Sequence, residues 1–86
     1  MIEGDDSRFR IDGAITMDNA SAVLAEGLAK FGQAKEVDLS ALGEIDSSAV
    51  SLLLEWKRIN PGLRYIGCGD NLKSLATLYG VLELVQ

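Results

Sequence analysis

Apolar and polar residues alternate at the start of the chain: Phe9, Ile11 and Ile15 interleave with Arg8, Arg10 and Asp12. That period of two predicts a strand with one face on the core. Gly13 then marks a bend or bulge in it. A hairpin turned at Asp12-Gly13 is the alternative, with arms only a few residues long, so the bent strand is preferred. Helical spacing follows, with Val23, Leu24, Leu28 and Phe31 on one face over residues 19–31. Asp18 or Asn19 stands where a cap belongs, and Gly32 where the left-handed C′ residue belongs.

Glu36 to Ser40 reads as a second strand, followed by a loop through Gly43 to Ile45. A long helix is predicted from Ser47 to Ile59, stopped by Asn60-Pro61-Gly62. Leu63 to Gly67 reads as a third strand. Asp70 caps a third helix over 71–79, with Leu72, Leu75, Ala76 and Tyr79 on one face and Gly80 ending it. Leu82 to Val85 is too short to assign. Strands alternating with helices imply right-handed βαβ crossovers, so the expected fold is α/β, with about four strands in a mixed, mostly parallel sheet and three helices.

The second helix carries most of the information. At about 100° per residue, Ala49, Leu52, Leu53, Trp56 and Ile59 gather on a core-facing stripe. Ser47, Ser51, Leu54 and Arg58 form a continuous outer stripe, flanked by Val50 and Lys57 on one side and by Ser48 and Glu55 on the other. Asp46, Ser47 and Ser48 open this helix, and one of them suffices as its cap, worth about 1 kcal/mol. An outward Leu54 among small serines suits close packing by a partner. Phosphate on Ser47 or Ser48 would meet the positive end of the helix dipole, though Asp46 opposes it.

Length and composition narrow the function. Eighty-six residues make one domain, 1–86, since a chain of this size surrounds a single core. A net charge of -5, with eight Lys and Arg scattered singly, argues against nucleic acid and anionic membranes. One cysteine and no histidine leave little structural-zinc chemistry and no obvious base for a nucleophile, so no metal, cofactor or catalytic residue is expected. Cys68 reads as a small buried hydrophobe. The run Gly67-Cys68-Gly69 lacks the third glycine of a dinucleotide site and reads as a tight turn. No apolar stretch is long enough to span a bilayer, and the acidic first residues lack the pattern of a secretory signal, which points to the cytoplasm.

Taken together, Asp38-Leu39-Ser40, the short loop and Ile45-Asp46-Ser47-Ser48-Ala49 resemble the signature of STAS domains (sulfate transporter and anti-sigma factor antagonist). Ile11 to Asp18 looks like that family's bent early strand, and Leu72 to Tyr79 like its last helix. Within the family, the short length and the ending Leu72 to Val81 look most like the small cytoplasmic subunit of Mla-type phospholipid transporters. That resemblance implies a non-catalytic subunit that docks on the transporter's ATPase subunit, reaches the membrane only through the transporter and supports outer-membrane lipid asymmetry. Ser47 falls where that subunit carries a threonine. The competing resemblance is to anti-sigma factor antagonists, which a kinase partner phosphorylates on the second hydroxyl of an Asp-Ser-Ser-Gly motif; Ser48 matches it. Ala49 replaces the usual glycine, and the acidic N-terminus leaves little room for a further strand. The expected partner-binding residues are therefore Asp46, Ser47, Ser48, Ser51, Leu54 and Arg58.

Overall fold

The structure, a computed structural model, describes residues 1–85. Its strands are β1 (Ile2–Gly4), β2 (Arg8–Ile11), β3 (Gly13–Ile15), β4 (Glu36–Asp38), β5 (Leu42–Ile45) and β6 (Arg64–Ile66), and its helices α1 (Ala20–Lys30), α2 (Ser47–Ile59) and α3 (Asp70–Leu78). Four strands form a mixed sheet in the order β1-β2-β4-β6, with only β1 antiparallel to its neighbour. The parallel pair β3-β5 stands apart as a second sheet.

Register explains the core. Phe9 pairs with Val37 and Val37 with Tyr65, so these three share the helix-facing side of the large sheet. Phe31 stacks edge-on between Phe9 and Trp56, at centroid distances of 5.2 and 4.8 Å, which ties sheet to helix α2. The opposite face carries charge, including the Arg8–Glu36 ion pair at 3.5 Å.

The bent strand is present as expected: Gly13, at φ +85°, turns the chain from β2 in the large sheet to β3 in the small one, with a register shift between Gly13 and Ile15. The hairpin lies elsewhere. Contrary to the expectation from the acidic N-terminus, β1 exists and folds back on β2. The acids build the turn, because Asp5 Oδ1 accepts from the amides of Ser7 and Arg8, while Gly4 takes φ +144°. The loop expected before Ile45 is likewise a strand, β5, which pairs with β3.

Helix boundaries differ in instructive ways. Helix α1 ends at Lys30 and tightens into a 3₁₀ turn over Phe31–Gln33, so Gly32 is not in the left-handed region. Asn19 stands at the cap position but turns backward, accepting from the Thr16 amide and donating to the Ala14 carbonyl. At the other helix, Gly69 rather than Asp70 occupies the cap position. Leu28, at 40% exposure, and Tyr79, at 54%, point outward instead of into the core. Ile59 is also exposed, and Val50 is buried in its place. Cys68 is only half-buried, and that burial pushes its thiol pKa up.

Candidate docking site

Helix α2 starts where Asp46 leaves β5 in an extended conformation and caps the first turn, its Oδ1 accepting from the Ser48 amide at 2.8 Å. The other carboxylate oxygen does something the sequence does not disclose. It accepts from the Met17 amide at 2.9 Å, across 29 residues of chain, while the Asp46 amide donates to the Ile15 carbonyl. Asp46 therefore joins α2 to the β3–α1 turn. The Met17 and Ser48 amides hold its carboxyl below the usual carboxylate range, so it stays ionised.

From this anchor the outer stripe runs as expected. Ser47, Ser51, Leu54 and Arg58 are exposed, Leu54 at 44%. Ser48 is half-buried, turned away from the stripe. Arg58 does not reach outward freely, because its guanidinium makes two bonds to Glu55, at 2.6 and 3.1 Å. That bond raises the Arg58 pKa and lowers that of Glu55.

Neighbouring elements turn the stripe into a ridge between two grooves. One, of about 310 Å³, is lined by Ser47, Val50, Ser51, Leu54, Tyr79 and Val81. The other is broader and is lined by Leu24, Ser51, Leu54, Glu55 and Arg58. Leu54 belongs to both. The sequence missed Tyr79 and Val81 because the periodicity of α3 sends Tyr79 inward, whereas the helix ends at Leu78 and Gly80, at φ +73°, redirects the chain. Met17 is the most exposed large hydrophobic residue, at 78%; its only sequence signal is membership of the early-strand motif.

Among the described residues no group of His, Cys, Asp and Glu could hold a metal ion, and no helix is long and apolar enough to cross a membrane.

A mixed sheet covered by three helices, with an aspartate-capped helix presenting its outer face, defines a STAS domain, a class of regulatory and binding modules. The chain belongs to this family: residues 1–86 match the family model described as "Mlab, STAS domain". No curated protein matches the chain. Among solved structures it is similar to the anti-sigma factor antagonist SpoIIAA in its unphosphorylated form, at 13% identity and a TM-score of 0.75, covering 100% of this chain and 84% of that one. At that identity the likeness speaks to the fold.

Proposed function

We propose that this chain is the non-catalytic, cytoplasmic STAS subunit of an Mla-type phospholipid ABC transporter, which binds and regulates the ATPase subunit through the ridge of α2. The family model, MlaB-type over its whole length, supports the transporter reading. The observation that carries the docking surface is Leu54, an exposed leucine between two grooves and flanked by Ser47 and Ser51. Small flanking side chains let a partner approach closely around one apolar anchor, the arrangement of a binding hot spot.

Phosphorylation of Ser48 in an anti-sigma factor antagonist is the second reading, supported by the likeness to SpoIIAA and by the place of Ser48 in the first turn of α2. The half-burial of Ser48 and the ionised Asp46 beside it weigh against that reading. One experiment separates the two. Leu54→Asp and Ser47→Glu should each weaken co-purification with the ATPase subunit by about tenfold or more. Both should stay folded, Ser47→Glu at the wild-type melting temperature, since an acid at the start of a helix is favourable, and Leu54→Asp about 5 °C below it, since Leu54 is partly exposed but aspartate is a poorer helix former. Undiminished co-purification overturns the docking surface. Stoichiometric phosphate on Ser48 after incubation with a serine-kinase partner and ATP, read by intact mass, would favour the second reading.

A further inference from the structure

The Asp46 carboxylate serves two elements at once, and the residue it holds besides its own helix is the most exposed hydrophobic side chain of the described chain. A cap needs only the Ser48 bond. The bond to the Met17 amide fixes a short turn relative to the helix, and with it the position from which Met17 projects. Thr16 and Asn19 reinforce that turn, the Thr16 hydroxyl accepting from the Asp18 amide and the Asn19 amide oxygen from the Thr16 amide. The methionine side chain that this ordered turn presents has no evident role in the fold itself, because Met17 contributes nothing to the buried core.

The charge around this turn is one-sided. Between Ile11 and Ala29, and again between Glu36 and Trp56, the chain contains no lysine or arginine. These two segments build β3, the turn, α1 up to its last residue, β5 and most of α2. Asp18, next after Met17, and Glu44, two residues before Asp46, are exposed there. A surface with an apolar centre and an acidic border is complementary to an apolar pocket with a basic border.

We infer that the β3–α1 turn is the second half of the docking surface, with Asp46 as the positioning residue that locks it to α2, and that its occupant is a face of the ATPase subunit with a lysine- or arginine-lined pocket that receives Met17. This rests on the transporter reading above and names the chemistry of the partner's contact.

Asp46→Asn separates cap from lock. Asparagine caps helices about as well as aspartate but has one acceptor oxygen, so keeping the Ser48 bond turns its amide group toward the Met17 amide, donor against donor. The full chain and the cognate ATPase subunit are the reagents. Asp46→Asn should lower the melting temperature at pH 7 by only about 4–8 °C, speed hydrogen exchange at the Met17 amide about tenfold, and weaken ATPase binding. Met17→Lys, at a position exposed enough to fold normally, sets a cation against the basic border and should weaken binding about tenfold, and wild-type affinity should fall as salt rises. If Met17→Lys and Asp46→Asn bind like the wild type while Leu54→Asp does not, this inference is overturned and the transporter reading stands. Salt-independent binding overturns the basic border. A wild-type chain that does not bind the ATPase overturns both.

Discussion

Gly27 sets how closely α1 and α2 approach. A Cβ added there would lie 2.3 Å from atoms of the Trp56 indole, whose ring is fully buried and whose Nε1 donates to the Leu24 carbonyl at 3.2 Å. In an open helix, replacing glycine by alanine gains about 1 kcal/mol. Here the overlap has nowhere to go, because Trp56 is pressed edge-on against Phe31. Gly27→Ala is therefore expected to destabilise the domain by about 1–3 kcal/mol. Thermal unfolding followed by circular dichroism checks the sign, and an alanine variant as stable as the wild type would contradict this packing. Nothing in the sequence marks Gly27, since a glycine inside a helical pattern looks like a mild flaw until the neighbouring ring is known. Trp56 itself was legible, because its spacing with Ala49, Leu52 and Leu53 places it on the core stripe.

Carboxylates fasten several joints between elements. Asp38 ends β4 and accepts from the Ser40 amide at 2.8 Å, and Asp46 fastens β5, α2 and the β3–α1 turn. The Ser40 amide, foremost, lowers the pKa of Asp38, and the Met17 and Ser48 amides lower that of Asp46. A carboxyl whose folded pKa lies below its unfolded value adds stability above the unfolded value, near 3.8 here. That stability is lost as pH falls through the lower folded values. The melting temperature should thus hold between pH 7 and pH 5 and decline below about pH 4, with Asp46→Asn showing a shallower decline. An acid profile identical in that variant would remove Asp46 from the account. The same scale shows what periodicity can and cannot reveal. The bounds of helix α2 were readable to the residue because thirteen positions repeat one pattern, although Val50 is buried and Ile59 exposed against it. Strands β1 and β5, of three and four residues, repeat nothing, and each exists through a partner strand that the local sequence does not name.

For the molecule as a whole, the α/β class, the three helices and a mixed sheet of about four strands were legible; that β1 is its antiparallel strand was not, nor was the division into two sheets, because it depends on how far the bend at Gly13 carries the chain. The docking ridge followed the same rule. Ser47, Ser51 and Leu54 came from one helix and were found, whereas Met17, Tyr79 and Val81 come from segments distant in sequence and only the fold assembles them. The small sheet has a consequence of its own. Both halves of the docking surface are continuations of β3 and β5, a two-stranded ribbon that is not part of the four-stranded sheet, and two strands alone are marginally stable. Local opening should therefore begin there, with amides of the ribbon exchanging faster than those of β2 and β4 in the native protein; equal protection in both sheets would show that they open together. A partner that grips both strands' ends would then be ordering a loosely held ribbon as it binds, and its affinity would carry an entropic cost that a stiffer ribbon would spare.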